Sequence, residues 1–438
     1  MTKSLVHQLF HRLRSSVLAR NAGWMFFGNG LRIIVQAAYF ILIARSLGTT
    51  EYGAFVGAVS LIALLAPFAG LGAGFLLVKN VARDRRFFCE YWGNSLLLTA
   101  LSGTFLLGLV MAVARFALPS SIPWSLILMV SAADLLFMKY TEIAAQAFQS
   151  IDRLDFTAAI TLMPTLFRML SAAIIFILWR HSSALRWGWF YLACAMLAAF
   201  IAVTFTSKRI GFPSLALSRV PSELAEGFYF GTSLSAQTVY NEIDKTMLAR
   251  FSTLDATGIY AAAYRLIDVA FTPVRSVLYA AYTNFFRHGQ SGIAISYSYA
   301  KKLLPKMMGY SLVIFLALFV TAPLVPIVLG HDFARSVEAL RWLALLPFFK
   351  SIHYFLADSL TGAGYQRIRT LTQIGIAIFN VALNLWLIPA YSWRGAAWSS
   401  LASDGALALS MYVVVLLMMQ KESRQRAVAH SVYDAVTQ

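Results

Sequence analysis

Long apolar stretches separated by short polar connectors make up most of the chain. Twelve stretches have about 20 residues or more, the length that a helix needs to cross a bilayer. They occupy residues 22–45, 54–78, 92–117, 123–149, 155–179, 187–206, 223–250, 256–285, 304–329, 333–362, 368–390 and 394–420. The strands of a membrane barrel would instead alternate apolar and polar residues. The pattern predicts an all-α integral membrane protein with about 12 transmembrane helices.

Composition limits the function that such a chain can have. Of 438 residues, 59% are hydrophobic and 13% are charged, whereas soluble domains have about 25% charged residues. The connectors are too short for a catalytic domain, so function is expected between the helices and no catalytic residue is assigned. Cys89 and Cys194 have no second ligand at metal-binding spacing, so no disulfide framework, metal site or cofactor is expected.

Lysine and arginine are distributed unequally between the two sides of the predicted membrane. The N-terminal segment, the connectors after even-numbered spans and the C-terminal tail hold 21 of them, and the opposite connectors hold 7. Because positive residues are retained on the cytoplasmic side, both termini are expected in the cytoplasm. Orientation and headgroup contact then account for the net charge of +17, and nucleic acid is not expected as a partner.

The first 21 residues precede the first span and are basic. Leu5, Leu9, Phe10, Leu13 and Val17 recur at helical spacing beside four Lys or Arg residues. This pattern predicts a cytoplasmic interfacial helix on an anionic membrane surface. A mitochondrial targeting segment is the alternative, because no acidic residue comes before position 51.

Similar residues recur at an offset of 205 positions. Residues 44–45, Ala-Arg, match residues 249–250, and Gly53 matches Gly258. This internal repeat predicts two pseudo-symmetric six-helix bundles around a central cavity. The predicted segments are the cytoplasmic interfacial helix at 1–21, an N-terminal bundle at 22–206, a cytoplasmic linker at 207–222, a C-terminal bundle at 223–420 and a cytoplasmic tail at 421–438.

Charged residues also fall inside the predicted spans. Eight are basic, and if all faced lipid near the midplane they would cost roughly 20–28 kcal/mol, at about 2.5–3.5 kcal/mol each. That cost exceeds a typical folding stability of about 5–15 kcal/mol, so most must face protein or water. In span 8, Arg265, Asp268, Arg275 and Tyr279 share one helix face. Structural ion pairs remain the alternative for each single residue.

Aligned polar faces on several helices indicate a wide hydrated cavity. Guanidinium groups in it would bind phosphate oxygens bidentately, as ammonium groups cannot. Tyr, Gln and Asn side chains suit hydroxyl-rich sugars. The residues expected to line the cavity and contact sugars are Gln36, Tyr39, Gln146, Tyr264, Tyr279, Asn380 and Asn384.

A family resemblance begins at the end of span 1. Ala-Arg-Ser-Leu-Gly at residues 44–48, Glu-Tyr-Gly at residues 51–53 and a glycine-broken second span resemble the start of polysaccharide-repeat flippases of the Wzx type. In the second half, Asp-Lys at residues 244–245 and Gly-Ile-Tyr-Ala-Ala-Ala at residues 258–263 resemble the family's Asp-Lys and Gly-x-Tyr-x-x-Ala stretch. These flippases belong to the multidrug, oligosaccharidyl-lipid and polysaccharide exporter superfamily. The resemblance covers roughly the whole chain.

The resemblance implies two six-helix bundles in alternating access in the bacterial inner (cytoplasmic) membrane. They would flip an undecaprenyl-pyrophosphate-linked oligosaccharide repeat from the cytoplasmic to the periplasmic leaflet, for cell-surface polysaccharide synthesis and without enzymatic activity. The implied partners are the lipid-linked oligosaccharide, membrane lipids, polysaccharide polymerase or ligase machinery, and a coupling proton or sodium ion.

These implications assign roles to the charged residues. We expect the pyrophosphate to contact Arg32, Arg265 and Arg275, with Lys139, Arg168 and Lys245 as second choices. The candidate carboxylates for ion coupling are Asp244, Asp268 and Glu142, for which ion pairing is the equal alternative.

Three other functions remain as alternatives. A drug/cation antiporter of the same superfamily is disfavoured because cavity arginines would repel its substrates. The lipid II flippase branch fits a cationic cavity but is expected to have fourteen spans, and twelve are predicted here. A membrane polysaccharide polymerase or ligase should have a large periplasmic loop with catalytic groups. The external connectors are instead short, and His181 and His331 lie there without an acid/base partner.

Overall fold

The computed structural model describes residues 17–179, 181–216 and 241–437, with side chains described for 30–179, 181–216 and 241–425. Within these ranges the chain is helical and has no β-strand. The helices are α1 (Val17–Leu65), α2 (Ala73–Arg83), α3 (Phe88–Ala117), α4 (Trp124–Ala132), α5 (Met138–Gln149), α6 (Leu154–Leu178), α7 (Ala184–Arg209), α8 (241–251), α9 (Leu254–Ala270), α10 (Thr272–Gly289), α11 (Ile293–Thr321), α12 (Val325–Leu329), α13 (Ser336–Leu343), α14 (Leu346–Gly362), α15 (Gln366–Tyr391) and α16 (Trp393–Thr437).

The predicted all-α membrane fold is confirmed. In the described part of the chain, seven helical stretches are long and apolar enough to cross a membrane. They are Gly30–Arg83, Arg85–Ala117, Leu154–Leu178, Ala184–Arg209, Ile293–Leu329, Gln366–Tyr391 and Trp393–Gln425. The first of these contains predicted spans 1 and 2, and spans 4, 8 and 10 are each divided between shorter helices. Span 7 is described only for its last residues, in α8.

Two compact units divide the chain. Unit 1 is Met1–Arg250 and unit 2 is Phe251–Gln438. Most of the interfacial helix predicted at 1–21, the end of the linker predicted at 207–222 and the first part of span 7 lie outside the described residues. The predicted domain boundaries therefore stay a prediction.

Glycines set the points where the first two spans bend. α1 runs for 49 residues, but Gly48 inside it has φ 69° and ψ 179°, a conformation that residues with a Cβ rarely adopt. Span 2 is broken after α1, where Gly70, Leu71 and Gly72 all have positive φ. The Gly70 N–H donates to Ser102 Oγ at 2.8 Å, which fixes this turn against α3. The break agrees with the glycine-broken second span of the sequence.

The kink in α1 is bonded to the start of α7 within unit 1. The carbonyl of Ser46 accepts the N–H of Ser182 at 2.8 Å. Glu51 Oε2 accepts the N–H of Ala184 at 2.6 Å, and so satisfies an N–H of the first helical turn that has no partner inside the helix. The motif that carries the family resemblance thus joins the first and sixth spans of unit 1.

Aromatic rings fill the space between α1 and α7. The Phe55 ring lies edge-on to Tyr191 with 5.3 Å between centroids and edge-on to Trp187 at 6.2 Å. Tyr39 lies 5.6 Å from Trp187, which is fully buried. Such offset and edge-on pairs are favourable beyond the area they bury.

Unit 2 has the corresponding contacts. The hydroxyls of Ser252 and Ser392 hydrogen-bond at 2.6 Å, between the start of α9 and the start of α16. Tyr260, the repeat counterpart of Phe55, hydrogen-bonds Ser400 of α16 at 2.9 Å. In both units, therefore, the segment around the second span packs against the sixth span.

The described part of the linker lies against α3. The Ser214 N–H donates to the Cys89 carbonyl at 2.9 Å. The Asn94 side chain bonds both the N–H and the carbonyl of Ala216, each at 3.1 Å. A Cβ at Gly93 would overlap the Ser214 carbonyl, so a glycine is required for this close approach. These contacts hold the linker on unit 1 as far as Ala216.

A basic turn joins α2 to α3. Asp84 accepts the backbone N–H of Arg86 at 3.0 Å and pairs with its guanidinium at 3.3 Å. The backbone hydrogen bond, together with the nearby guanidinium, holds the pKa of Asp84 below its ordinary value. The carboxylate therefore stays charged and offsets part of the positive charge of this turn.

Candidate functional site

The polar face predicted in span 8 runs along α9 and α10 of unit 2. The two helices are separated just before Pro273, which has no N–H to continue the helical hydrogen bonds. Asp268 and Arg275 lie on either side of this break and pair at 2.5 Å. The Arg275 side chain is 51% exposed and Tyr279 is 87% exposed. This face is therefore accessible over several helical turns.

Arg265 lies on the same face, one turn before Asp268. It is half-buried and makes no hydrogen bond or ion pair with any residue that the structure describes. An uncompensated guanidinium in a membrane segment is unfavourable unless water or an anion solvates it. Among the predicted pyrophosphate contacts, Arg265 is thus available to an anionic ligand.

The two predicted lysines are paired with glutamates one helical turn away in unit 1. Lys139 Nζ lies 2.8 Å from Glu142, whose side chain is 47% exposed. Lys245 Nζ lies 2.7 Å from Glu242. The backbone N–H of Lys245 donates to Asp244 Oδ1 at 2.8 Å. Lys245 and Asp244 are buried. Only the Lys139–Glu142 pair of these two is substantially accessible.

Arg168 belongs to a largely buried cluster between α6, α7 and the π-helical turn Ala133–Phe137, in which Tyr191 is buried and Arg168 and Asp134 are half-buried. Its guanidinium lies over the Tyr191 ring at 3.8 Å and 3.5 Å from Asp134. The Tyr191 hydroxyl donates to the same carboxylate at 2.8 Å. Arg168 Nε is buried and has no hydrogen-bond partner among the described residues. In this conformation Arg168 is held by protein groups.

Arg32, Gln36 and Tyr39 are half-buried along α1. Tyr39 contacts the aromatic cluster described above. Gln146 of α5 packs on Gly74 so closely that a Cβ at Gly74 would overlap the Gln146 side-chain oxygen. The structure thus brings Gln146 against α2, while the three α1 residues stay partly accessible.

Asn380 joins α15 to α16, and Asn384 supports it from one turn further along α15. The Asn380 amide donates to the hydroxyls of Ser399 and Ser403 at 3.2 and 3.0 Å. The Asn384 amide donates to Asn380 Oδ1 at 2.9 Å. Both asparagines are buried, 2% and 0% exposed. The Asn380 amide binds α16 and the Asn384 amide binds Asn380 on the same helix, so the sugar contact expected of them stays a prediction.

A buried cluster in unit 2 holds Tyr264, which the sequence predicts as a sugar contact, together with three residues outside the predicted site, Lys350, His353 and Asp404. Lys350 Nζ donates to the Tyr264 hydroxyl at 2.8 Å and lies 4.0 Å from Asp404. His353 Nε2 lies 3.2 Å from the other oxygen of Asp404. All four side chains are buried. The signal in the sequence was the position of Lys350 and Asp404 inside predicted spans, where each charge needs a partner.

The three candidate coupling carboxylates therefore differ in their surroundings. Glu142 pairs with Lys139, Asp268 pairs with Arg275, and Asp244 is buried beside Lys245. Among the described residues, no group of three or more His, Cys, Asp or Glu side chains could hold a metal ion.

Comparison with known proteins identifies the family and the fold of the chain. The profile of the family described as polysaccharide biosynthesis protein matches residues 18–282. No curated protein sequence matches the chain.

Several solved transporter structures share the fold. The chain is similar to a multidrug resistance MATE family transporter of the MOP superfamily in an inward-facing conformation, with a TM-score of 0.74 and 13% identity over 90% of this chain and 96% of the other. It is similar to the lipid II flippase MurJ in an inward closed conformation, with a TM-score of 0.69 and 12% identity over 89% and 87%. A MOP superfamily transporter from Pyrococcus furiosus gives a TM-score of 0.57 and 12% identity over 92% and 96%.

Proposed function

The chain belongs to the polysaccharide biosynthesis protein family, and we propose that it flips an undecaprenyl-pyrophosphate-linked oligosaccharide repeat from the cytoplasmic to the periplasmic leaflet by alternating access. Its fold is that of MOP superfamily membrane transporters, in agreement with the resemblance found in the sequence. The chain is a multi-pass membrane protein, and we propose from its fold that it is a transporter.

The environment of Arg265 is the main support for an anionic substrate. It places an uncompensated guanidinium on the polar face of α9, where the described residues supply no counter-ion. Phosphate oxygens match a guanidinium in charge and geometry, and the bidentate bond is stronger than a neutral hydrogen bond. A cationic drug would meet repulsion at the same position. An anionic, phosphate-bearing substrate therefore fits this face better than a cation.

Arg275 and Tyr279 extend the face along the helix. Arg265 and Tyr279 are separated by about 20 Å at 1.5 Å per residue, enough for a pyrophosphate followed by several sugar rings. We place the pyrophosphate at Arg265 and Arg275 and a sugar on the exposed Tyr279 ring. An aromatic face with a hydroxyl edge suits a pyranose ring, which offers both C–H groups and hydroxyls.

Asp268 is our choice among the carboxylates for coupling to an ion. Its pair with Arg275 holds a guanidinium that the substrate would otherwise bind. A proton taken up by Asp268 would weaken that pair and release Arg275 to the pyrophosphate. The Lys139–Glu142 and Lys245–Glu242 pairs are intact on their own helices, so we assign their lysines a supporting role.

The proposed location is the bacterial inner membrane with both termini in the cytoplasm, as the distribution of Lys and Arg indicates. The product would then be delivered to polysaccharide polymerase or ligase machinery on the periplasmic side. The lipid II flippase MurJ shares the fold, so the substrate experiment must include lipid II.

The experiment uses purified protein in proteoliposomes with fluorescent lipid-linked substrates and a membrane-impermeant quencher. We expect faster movement of an undecaprenyl-pyrophosphate oligosaccharide between leaflets than in empty liposomes, with little movement of lipid II. Equal movement of lipid II would assign the chain to a broader substrate class. Transport of a cationic dye, without movement of either lipid, would refute the proposal in favour of a drug antiporter.

A further inference from the structure

A groove on the surface of unit 2 lies between α11, α13 and α16. Its volume is about 390 Å³, within the range of about 300–1,000 Å³ that is common for sites of small molecules. Phe315 and Phe319 of α11, Trp342 and Leu345 at α13, and Leu401 of α16 form its walls. These walls are apolar, so the part of a ligand that enters the groove must be apolar too.

One end of this groove carries a positive charge. The guanidinium of Arg341 lies 5.2 Å from the centre of the Phe319 ring and makes no hydrogen bond or ion pair with any described residue. Glu338, which also lines the groove, is already bound by Arg394 through two hydrogen bonds of 2.9 Å. Arg394 therefore neutralises Glu338, and the charge of Arg341 has no counter-ion among the described residues.

The surrounding aromatic residues indicate the depth of the groove in the membrane. α15 ends at Tyr391, whose ring lies 5.1 Å from that of Trp398. Trp342 packs edge-on against Trp398 at 5.8 Å. Because Trp and Tyr concentrate where the bilayer meets water, this end of unit 2 lies at headgroup level. An apolar groove with a cation at headgroup level has the polarity of a phospholipid.

We propose that the groove binds an anionic phospholipid of the surrounding membrane. One acyl chain lies against Phe315 and Leu401, and the headgroup phosphate binds Arg341. A zwitterionic lipid carries its own cation beside the phosphate and gains less from Arg341. The limited volume suits a single acyl chain rather than a long polyprenyl chain. This site is separate from the α9–α10 face and does not depend on the transported substrate.

The test measures lipid association with the full-length protein in bilayers. Spin-labelled phosphatidylglycerol and phosphatidylcholine are compared by the fraction of label that the protein immobilises. We expect a preference of at least two-fold for phosphatidylglycerol in the wild type, and Arg341→Gln to remove one preferred site. Leu401→Trp, which fills the groove, should lower the immobilised fraction for both lipids.

Arg335→Gln is the matched control, because Arg335 has the same charge, lies at the same end of unit 2 and pairs with Asp255 outside the groove. It should keep the wild-type number of preferred sites. Variants are compared only at equal melting temperature in detergent. The proposal is wrong if Arg341→Gln keeps the wild-type number of sites. It is also wrong if undecaprenyl phosphate, but not unlabelled phosphatidylglycerol, displaces the label from the groove.

Discussion

Asp268 and Arg275 form an ion pair of 2.5 Å across the break between α9 and α10. The pair joins two helices that Pro273 separates, and it neutralises one of the two arginines on the accessible face of unit 2. Arg265, one helical turn earlier, has no such partner among the described residues. The difference between these two arginines gives each a distinct expected response to mutation.

Removal of Arg265 should impair transport without a loss of stability. A hydrogen bond to a charged group contributes about 1.5–3 kcal/mol, so Arg265→Gln should lower polysaccharide export at least about tenfold. Because Arg265 has no carboxylate partner in the described chain, the melting temperature should stay within about 2 °C of the wild type. Export is measured at matched protein levels, with Arg335→Gln as the control of equal charge. Full export by Arg265→Gln would exclude this arginine from the binding site.

Neutralising Asp268 should strengthen substrate binding. Asp268→Asn releases Arg275, and because an exposed ion pair is worth about 0.2–1 kcal/mol, affinity for an undecaprenyl-pyrophosphate ligand should rise up to about five-fold. Binding is measured by the ligand-induced rise in melting temperature. If Asp268 is also the coupling carboxylate, Asp268→Asn should bind tightly yet lose its response to a pH gradient. Weaker binding by Asp268→Asn would contradict the release of Arg275.

The aromatic ring at position 279 should matter for transport and not for folding. Tyr279 is 87% exposed, so Tyr279→Ala should leave the melting temperature nearly unchanged while it slows transport several-fold. Tyr279→Phe keeps the ring and should retain most of the rate. The measurement is the transport rate of each variant in proteoliposomes. Identical slowing by Ala and Phe would assign the effect to the hydroxyl instead of to ring stacking.

A glycine contact between α10 and α14 should be sensitive to one methyl group. A Cβ at Gly289 would overlap the backbone of Gly362, and a Cβ at Gly362 would overlap the carbonyl of Phe285. Gly289→Ala or Gly362→Ala must separate the two helices and should cost about 1–3 kcal/mol. Gly375→Ala on α15 is the control, because its Cβ would meet open space. Thermal unfolding in detergent should show a lower midpoint for Gly289→Ala and Gly362→Ala, and the wild-type midpoint for Gly375→Ala.

The buried Lys350–Asp404 pair should show strong coupling between its partners. Lys350 and Asp404 are 3% and 2% exposed, with the two charged groups 4.0 Å apart. Removal of one partner leaves an uncompensated buried charge, at a typical cost of about 3–5 kcal/mol. Lys350→Met should therefore destabilise the protein strongly, whereas Lys350→Met combined with Asp404→Leu should recover much of the loss. Additive losses in the double variant would show that the two side chains do not act as a pair.

The sequence was sufficient to predict features that depend on local spacing. Apolar length predicted the membrane helices, and the steps of three and four positions predicted the accessible face that holds Arg265, Arg275 and Tyr279. The repeat at 205 positions paired Phe55 with Tyr260, and the structure places both against the last helix of their own half of the repeat.

Contacts between distant helices could not be predicted in the same way. Whether Arg168 meets Asp134, or Lys350 meets Asp404, depends on how each helix is rotated about its axis, and periodicity does not fix that rotation. Asn380 illustrates the difficulty, because spacing alone does not predict that its amide donates to the serine hydroxyls of another helix. From the sequence, we could predict only that charged and polar side chains inside the spans need partners.

The most direct test of the proposed function locates the lipid-linked repeat in cells. In a strain that lacks this gene and its polymerase, a membrane-impermeant probe is applied to spheroplasts to measure the repeat exposed on the outer side. We expect the repeat to be trapped on the cytoplasmic side, and to become accessible when the wild-type gene, but not Arg265→Gln, is restored. Normal exposure of the repeat without the gene would contradict a flippase function.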